Sequence, residues 1–373
     1  MRILHVVSAL NGGGAERFVT LLAPHLAQAG TTCGIVSIYP SEVPKTLGSV
    51  EVIQLERRGR YDAASFARMC ARMRAWRPDV VHGHMSGGTF LGRLAAIVVG
   101  TPVIVRTEHA PCASRLPFRA ANVANRALNQ ATDAVVTFSR AQALMLARRE
   151  RLDPRKLVVI PNGIEHDPQP TDVDRARARA LLHLDEDAAA IVVLGNLHFP
   201  KNQRLAIEAC AALPEGTRAR TRMLIVGDGP DRSALEALVS TLGIAACVRF
   251  LGYRTDVGTL LAAADAFVMP SLTEGLPLAM LEAMSFGVPV ITTPWTGAHD
   301  LLAGGDLGTI ARDYSAGALA RGLLEVLDDA LRASRIARRA QAVVRAEYDI
   351  STSARRHLEM YGRLLARRPA WVS

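Results

Sequence analysis

Two glutamates, Glu274 and Glu282, stand on either side of the predicted start of a helix. Glu274 lies in the loop after a predicted strand, and the neighbouring Gly275 allows a ligand to approach the backbone closely. Glu282 lies about one turn inside the helix, on a face shared with Leu278, Leu281 and Met284. A carboxylate among apolar side chains is costly unless it has a partner, and the helix N-terminus between the glutamates favours an anion. The pattern predicts that the two carboxylates bind separate parts of one polyhydroxylated ligand.

A second candidate group follows the first predicted strand of the C-terminal half. Gly195 and Asn196 end this strand, and Lys201 stands just before the next helix. Lys201 is the only lysine in this half of the sequence, and a lysine placed here can pair with a phosphate as a point charge. A solvated lysine is the alternative. The turn Gly-Asp-Gly-Pro at residues 227–230 ends the next strand and starts a helix, but by itself it is a common loop.

Glycines 12–14 follow the first predicted strand of the chain and open a helix that has Glu16 in its first turn. Glycines let the backbone approach a ligand, and the helix N-terminus favours an anion; a plain tight turn is the alternative. The spacing is not Gly-x-Gly-x-x-Gly, and no acidic residue marks a ribose site after the second strand. A nicotinamide dinucleotide site is therefore disfavoured.

Three histidines stand at predicted strand ends of the N-terminal half: His82 and His84 end the fourth strand, and His109 ends the fifth. Histidines there can hydrogen-bond sugar hydroxyls or act as acid or base. We expect His82 and His84 to point to opposite sides of their strand, so that they do not share a ligand, and His82 to be a hydrogen-bonded core residue. A zinc site is not expected, because no third and fourth ligand are spaced for it.

The elements that position these residues alternate between apolar runs and helical patterns. Strands are predicted at residues 3–7, 33–38, 50–55, 80–81, 103–105, 134–138, 191–194, 223–226, 248–251, 266–269 and 288–291, and helices include residues 15–29, 63–76, 118–130, 203–213, 231–242 and 278–286. This alternation is typical of parallel sheets that are covered on both faces. It stops at residues 160–174, which have three prolines and no periodicity and are the best candidate for an interdomain linker.

Composition excludes several classes of protein. The chain has 373 residues, of which 49% are hydrophobic and 21% charged, as in ordinary globular proteins. Its five cysteines are odd in number and widely spaced, which argues against a disulfide framework and fits a reducing cytoplasm. No apolar run approaches the ~20 residues of a membrane span, and the N-terminus is interpreted as a strand, not a signal peptide. We expect no nucleic-acid partner, because no basic motif has interleaved aromatic residues.

The net charge of +9 is confined to the N-terminal half, where residues 1–170 carry 21 basic and 12 acidic side chains. Residues 171–373 carry 23 of each, whereas residues 57–156 alone carry 18 basic and 6 acidic ones. The arginines cluster on or beside three predicted helices: Arg68, Arg72, Arg74, Arg115, Arg119, Arg126, Arg148, Arg149 and Arg151. This excess predicts attraction to an anionic membrane surface through the N-terminal domain. A solvated basic face is the alternative.

Taken in their order along the chain, the motifs resemble those of the retaining glycosyltransferases of family four, which have the GT-B fold. The resemblance extends over nearly the whole chain. Its most specific marker is the pair Glu274 and Glu282, inside the segment EGLPLAMLEAM. The other markers are weak singly: residues 12–16, His82 with His84, Glu108 with His109, residues 161–164, Lys201 with Asn202, residues 227–230 and residues 250–252.

The resemblance implies two Rossmann-like, doubly wound α/β domains that face each other across a cleft. Residues 1–162 would bind the acceptor and residues 163–350 the nucleotide sugar, and residues 351–373 would form a helix that packs back on the first domain. Glu274, His109 and Lys201 would be the catalytic residues. Glu274 would hold the transferred sugar, His109 would contact it, and Lys201 would neutralise the diphosphate of the leaving nucleotide.

The remaining contacts with the donor are implied in the same way. Glu282 would bind the ribose hydroxyls, Leu251 and Gly252 would meet the base through backbone atoms, and the amides of Gly275 and Leu276 would face sugar hydroxyls or phosphate. The other implied donor-binding residues are Gly13, Gly14, Asn196 and Gly227. His84 and Glu16 are assigned to the acceptor side. No metal ion and no other cofactor is implied.

Two positions depart from the family pattern. Asn196 stands where such enzymes often have an arginine that shares the diphosphate with the lysine, so Arg204 or Arg254 would have to replace it, or donor binding would be weaker. Asp300 ends a loop whose usual acid is a glutamate. The implied activity is transfer of a hexosyl group from a nucleotide sugar, here expected to be UDP-linked, to a membrane glycan or polyprenyl-diphosphate-linked acceptor at the inner face of the cytoplasmic membrane. The alternatives are a non-catalytic nucleotide-sugar-binding subunit and a GT-B-fold sugar-nucleotide epimerase.

Overall fold

The computed structural model describes residues 1–41, 45–57, 59, 62–109 and 118–367, with backbone only for Ser86 and residues 118–124. Cys112 and Arg115 lie outside the described residues, as does the side chain of Arg119. The chain forms two compact units, Met1–Glu165 with Tyr348–Ser373, and His166–Glu347. The chain rejoins the first unit through backbone hydrogen bonds between Ile164 and residues 348 and 350.

The first unit contains an eight-stranded sheet in the order β3-β4-β2-β1-β5-β6-β7-β8. All neighbouring strands are parallel except the hairpin β3–β4. Every residue of β5, β6 and β7 is buried, which is why these strands consist largely of apolar residues. The strands are β1 (Arg2–Val7), β2 (Thr32–Ser37), β3 (Thr46–Leu47), β4 (Val50–Gln54), β5 (Val80–His84), β6 (Val103–Thr107), β7 (Ala134–Thr137) and β8 (Leu157–Val159).

Helices cover the sheet of the first unit. They are α1 (Gly14–Gln28), α2 (Ala63–Trp76), α3 (Met85–Gly87), α4 (Arg93–Val99), α5 (Phe118–Ala131) and α6 (Arg140–Glu150). Met69, Met73 and Ala95 of α2 and α4 pack on Leu4 and Val81 of the sheet in one core. A π-helical turn, Gly88–Gly92, lies directly on β1.

The second unit contains a six-stranded, wholly parallel sheet in the order β11-β10-β9-β12-β13-β14. Its strands are β9 (Ala189–Leu194), β10 (Thr221–Val226), β11 (Val248–Gly252), β12 (Ala266–Met269), β13 (Val290–Thr292) and β14 (Thr309–Ile310). Its helices are α7 (Asp172–Leu181), α8 (Gln203–Ala211), α9 (Glu215–Ala219), α10 (Arg232–Thr241), α11 (Val257–Ala263), α12 (Leu278–Ser285), α13 (Ala298–Leu301), α14 (Ala316–Asp328) and α15 (Ala330–Glu347). The last helix, α16 (Ile350–Ala366), packs on α1 in the first unit.

The predicted pair of doubly wound α/β sheets is confirmed, with three short strands missed: β3, β8 and β14. Each has only two or three residues, too few for a periodic pattern. Strand β5 continues past the apolar pair at residues 80–81 to His84, so that His82 and His84 end the strand as predicted. The polar side chains of His82 and His84 can be buried there because each finds hydrogen-bond partners.

Candidate functional site

The sheet order of the second unit defines one candidate site, at the carboxyl ends of β9 and β12. Successive strands are added towards one edge of the sheet from β9 to β11 and towards the other edge from β12 to β14. Ligands of doubly wound sheets bind at such a switch point in the strand order. The loops after the two strands are joined by hydrogen bonds. The N–H of Leu272 donates to the carbonyl of Pro200 at 2.9 Å, and the Asn202 amide donates to the carbonyl of Pro270 at 3.2 Å.

Lys201 and Glu274 form an ion pair across this switch point. The Nζ of Lys201 lies 2.7 Å from Oε1 of Glu274, and the hydroxyl of Ser271 donates to the same oxygen at 2.6 Å. The side chain of Glu274 is 9% exposed and that of Lys201 28%. A carboxylate buried this far needs such partners. The structure therefore brings together two of the three predicted catalytic residues, and Ser271, which sequence reasoning missed, holds one of them.

Glu282 lies on α12, the helix that follows the Glu274 loop. The helix begins after Pro277, and its apolar residues Leu278, Leu281 and Met284 are buried as predicted. Glu282 and the preceding Leu276 are each 7% exposed. The predicted spacing therefore places both glutamates in largely buried positions, one in the loop and one on the helix.

Two glycine-containing turns meet backbone to backbone beside this pair. The N–H of Leu197 donates to the carbonyl of Asp228 at 2.9 Å, and the N–H of Gly195 donates to that of Val226 at 2.9 Å. A Cβ on Gly227 would lie 2.2 Å from the carbonyl oxygen of Gly195, and one on Gly229 would lie 2.3 Å from that of Leu197. Only glycine fits at these two positions.

Replacing Gly227 by alanine is therefore expected to destabilise the protein by about 2 kcal/mol or more, because the added methyl group overlaps backbone that cannot rotate away. The matched control is Gly216→Ala, where an added Cβ has nothing within 4 Å and stability should change by about 1 kcal/mol at most. Urea denaturation of both variants measures the difference. Equal stability of the two variants would show that the turns are not packed as described.

The end of β11 lies next to the Gly227 turn. The N–H of Gly227 donates to the carbonyl of Gly252 at 2.8 Å, and Gly252 has the positive φ of +69° that favours glycine. The guanidinium of Arg232 lies over the ring of Phe250 at 5.9 Å and donates to Glu236 at 2.9 Å. Sequence reasoning missed Arg232, although its place just after the Gly-Asp-Gly-Pro turn is a signal for it.

Arg204 and Arg254, the two candidates to compensate for Asn196, each form an ion pair. Arg204 donates to Glu208 at 2.8 Å, and Arg254 donates twice to Asp256, at 2.7 and 2.6 Å. Each arginine is already paired with a carboxylate on its own segment, whereas the side chain of Asn196 is exposed. His198 lies in the same loop, and partial burial together with the Lys201 cation lowers the pKa of its imidazole.

The first unit has its own switch point, between β1 and β5. The glycine loop after β1 is closed by Glu16, whose Oε2 accepts the N–H of Gly13 at 3.0 Å and that of Asn11. Glu16 therefore holds the glycine loop in shape. This contact gives Glu16 a positioning role for the loop through Oε2.

Five histidines cluster beside this loop: His5 on β1, His82 and His84 on β5, His109 after β6, and His357 on α16. The rings of His82 and His84 lie 4.2 Å apart, on the same side of the strand. The expectation of opposite sides was wrong, because side chains two positions apart on a strand share a face. Both histidines are fully buried.

A third potential metal ligand lies near His82 and His84, although the sequence spacing indicated none. One ring nitrogen from each of His5, His82 and His84 lies within 4.8 Å of the others, a grouping that sequence spacing could not show because His5 is on a different strand. The nitrogens of His82 are hydrogen-bonded to Tyr361 at 2.6 Å and Thr107 at 2.7 Å, and both nitrogens of His84 are bonded to other histidines. Protein groups therefore already engage these nitrogens.

The imidazoles of this cluster are held neutral. Burial, and to a smaller extent the charge of His357, lowers the pKa of His5 and of His109 to about 3. Burial and the neighbouring histidines lower the pKa of His82 and of His84 well below the usual value. Groups with such pKa values are uncharged near neutral pH, so His109 is available as a neutral hydrogen-bonding group.

A buried ionic network supports the strand end that carries His109. Arg106 lies 3.0 Å from Glu108 and 2.6 Å from Glu150, and the amide of Gln142 donates to the carbonyl of Glu108 at 2.8 Å. Burial raises the pKa of Glu108. At Glu150 burial acts in the same direction, but Arg106, Asn129 and Arg149 together outweigh it and lower the pKa. Sequence reasoning missed this network, because its members come from the end of β6 and from α6, which are distant in sequence.

Comparisons with known proteins agree with this geometry. The model of the family described as "Glycosyltransferase Family 4" matches residues 12–168, and that described as "Glycosyl transferases group 1" matches residues 174–343. The chain is 30% identical over 328 residues to a D-inositol 3-phosphate glycosyltransferase of Streptomyces avermitilis, covering 79% of this chain and 67% of that protein.

Two further similarities point the same way. Over 258 residues the chain is 28% identical to the UDP-Gal:alpha-D-GlcNAc-diphosphoundecaprenol alpha-1,3-galactosyltransferase of Escherichia coli, covering 67% of each protein. The crystal structure of Anabaena Alr3699/HepE in complex with UDP and glucose has a TM-score of 0.85 with 21% identity, covering 97% of this chain and all of that one. The chain belongs to the group 1, family 4 glycosyltransferases and is a glycosyltransferase with the GT-B fold.

Proposed function

We propose that this chain transfers a hexosyl group from a UDP-linked sugar, with retention of configuration, to a polyprenyl-diphosphate-linked or other membrane glycan acceptor. The observation that carries the proposal is the Lys201–Glu274 pair at the switch point of the second unit, with Glu282 on the helix that follows. The names of the similar proteins support the choice of ligands. The Escherichia coli relative is named for UDP-Gal and a diphosphoundecaprenol-linked sugar, and Alr3699/HepE was crystallised with UDP and glucose.

In this proposal the donor diphosphate lies between Lys201 and the glycine turns at residues 195–197 and 227–229. An ammonium group has three N–H donors, so Lys201 can hold a phosphate oxygen while it remains bonded to Glu274. The carboxylate of Glu282 accepts the two ribose hydroxyls, and backbone groups of Leu251 and Gly252 meet the base. Because Asn196 carries no charge, Lys201 is the main cation for the diphosphate.

The transfer step follows from the same placement. The bond between the anomeric carbon and the β-phosphate oxygen breaks, the acceptor hydroxyl attacks the same face of the sugar, and the departing phosphate oxygen takes the hydroxyl proton. Lys201 and backbone amides stabilise the negative charge that grows on the phosphate, where fixed donors are most effective. Glu274 beside the sugar stabilises the positive charge that grows on the ring. We propose that these groups suffice without a resident metal or other cofactor.

The direct test offers UDP-glucose, UDP-galactose, UDP-N-acetylglucosamine and GDP-mannose to the protein, with a polyprenyl-diphosphate-linked sugar as acceptor. Proton NMR of the product reports the configuration at the new linkage. We expect an α-linked product from one of the α-linked UDP-sugars. A β-linked product would overturn retention, preference for the GDP-sugar would overturn the choice of donor, and an epimerised sugar nucleotide formed without acceptor would identify the epimerase alternative.

We further propose that the first unit docks on the cytoplasmic face of an anionic membrane. Helices α2, α4, α5 and α6 pack as successive neighbours, and Arg68, Arg72 and Arg74 are exposed on α2. Leu144 on α6 is 62% exposed between arginines at positions 140 and 148. Basic residues around an exposed apolar side chain are typical of surfaces that bind anionic lipid. Among the described residues, no helix is both long enough and apolar enough to span a bilayer.

Changing Arg68, Arg72 and Arg74 together to alanine is expected to weaken binding to vesicles containing phosphatidylglycerol about 10- to 100-fold, since each basic residue near such a surface contributes about 1 kcal/mol. The matched control removes the same charge from the exposed residues Arg332, Arg335 and Arg338 on α15 of the second unit. Vesicle co-sedimentation at low and high salt measures the binding of both triple variants. Equal losses in the two triple variants, or equal binding to neutral vesicles, would contradict the proposal.

A further inference from the structure

We propose that His84 sets the tautomer of His109, so that His109 presents its Nδ1–H to the ligand as a fixed hydrogen-bond donor, and that His5 orients His84 in turn. His5 and His84 are thus positioning residues for His109. The identity of the ligand as the donor sugar rests on the function proposed above. The tautomer itself does not, and it can be measured without any substrate.

The proposal starts from a chain of three imidazoles that hydrogen-bond in series. The Nδ1 of His5 lies 2.9 Å from the Nε2 of His84, and the Nδ1 of His84 lies 3.0 Å from the Nε2 of His109. A neutral imidazole has one N–H and one acceptor nitrogen. The hydrogen bond made at one nitrogen therefore decides which of the two carries the proton. The three rings must therefore share one direction of donation, from His5 towards His109 or from His109 towards His5.

The buried end of the chain favours one direction. Donation from His109 towards His5 would leave the N–H at Nε2 of His5 in the core, where that atom has no hydrogen-bond partner among the described residues. Donation from His5 towards His109 leaves a bare lone pair at the same atom. A buried N–H without a partner is rarer than an unused acceptor.

His357 is a second case of a buried ring nitrogen whose lone pair has no hydrogen-bond partner among the described residues. Its Nδ1 donates to the carbonyl of Ser353 at 2.8 Å, so its Nε2 is an acceptor, and within the described part of the chain that atom has no partner either. Donation therefore runs from His5 to His84 to His109. The Nε2 of His109 accepts, and its single proton is on Nδ1.

The outer end of the chain is where a ligand can use this proton. His109 is partly exposed, unlike His5 and His84, which are fully buried. Its Nδ1 makes no hydrogen bond to any residue that the structure describes. A donor whose direction is set in advance costs no reorganisation when a hydroxyl or phosphate oxygen arrives. His109 would then discriminate for an oxygen acceptor and against a ligand group that itself donates.

The experiment is long-range ¹H–¹⁵N NMR of the protein labelled with [¹⁵N]histidine, recorded without ligand, which separates protonated from unprotonated ring nitrogens. The His109→Gln variant assigns the His109 signals. His183→Asn, at an exposed position on the second unit, is the control that should leave them unchanged. We expect the wild-type His109 to be protonated at Nδ1 and bare at Nε2.

Two variants of nearly equal shape at position 84 test whether the donor group of His84 sets the tautomer of His109. Asparagine has an amide at the place of the histidine Nδ1 and can keep donating to His109, whereas leucine has the same branching without a donor. We expect His84→Asn to retain the His109 signals and His84→Leu to give a mixture of tautomers. Transfer activity should fall about 10- to 100-fold in His84→Leu, as for other partners that orient a histidine, and be rescued in part by His84→Asn.

Protonation of wild-type His109 at Nε2, or identical His109 spectra in the asparagine and leucine variants, would overturn the inference. These outcomes are independent of the activity assay. A protein with the expected tautomer but no UDP-sugar transfer would contradict the proposed function alone.

Discussion

Replacement of Glu274 by glutamine is expected to lower kcat for sugar transfer by about 10²- to 10³-fold, the range seen when one preorganised electrostatic group is removed from an active site. Glutamine keeps the shape of the side chain and can still accept from Ser271, so the protein should fold. It lacks the negative charge that Lys201 holds in place and that would stabilise positive charge on the sugar ring. Affinity for UDP should change little, because Glu274 is placed beside the sugar.

The matched control for Glu274→Gln is Glu208→Gln, which makes the same chemical change on α8, where Glu208 pairs with the exposed Arg204. Initial rates at saturating UDP-sugar, with thermal unfolding as a check on folding, measure both variants. Full activity of Glu274→Gln would remove Glu274 from the reaction and leave the ion pair with a structural role only.

Replacement of Lys201 by methionine is expected to affect both donor binding and transfer. Loss of the main cation proposed for the diphosphate should weaken UDP binding about tenfold or more and lower kcat/KM about 10³-fold. The change also leaves the buried carboxylate of Glu274 without its cation, which should lower stability by about 1–3 kcal/mol. The control is Lys45→Met, which removes an exposed lysine of the first unit by the same substitution.

The double variant Lys201→Met/Glu274→Gln separates the two effects. Because glutamine no longer needs a cation, the double variant should be more stable than the sum of the single losses predicts, with a coupling of about 1 kcal/mol. Its activity should remain as low as that of Lys201→Met. Strictly additive stability losses, or retained activity of Lys201→Met, would contradict the placement of the pair at the diphosphate.

Local patterns predicted the fold and singled out the candidate residues of the second unit because the relevant signals lie within short segments. Glu274, Gly275 and Glu282 occupy one loop and one helix, so their spacing alone places them. The glycine turns at residues 195–197 and 227–229 are likewise local. The alternation of apolar runs and helical patterns predicted both parallel sheets, since strands buried on two faces must be apolar throughout.

Contacts between distant elements could not be predicted in this way. Lys201 and Glu274 are 73 positions apart, and only the sheet order brings them to one switch point. His5 and His84 are 79 positions apart and meet because β1 and β5 are neighbours. The contact of Tyr361 with His82 depends on the return of α16 to the first unit. One error was local: the two-residue period of a strand already places His82 and His84 on one face.

We propose that the second unit binds the nucleotide of the donor through Glu282 and Lys201, and the sugar through Glu274. Isothermal titration of UDP into the wild type, Glu282→Gln and Glu274→Gln tests it most directly, since UDP carries no sugar to be transferred. We expect binding to the wild type, binding at least about tenfold weaker to Glu282→Gln because charge-assisted hydrogen bonds to the ribose are lost, and unchanged binding to Glu274→Gln. Equal affinity of the wild type and Glu282→Gln would contradict it.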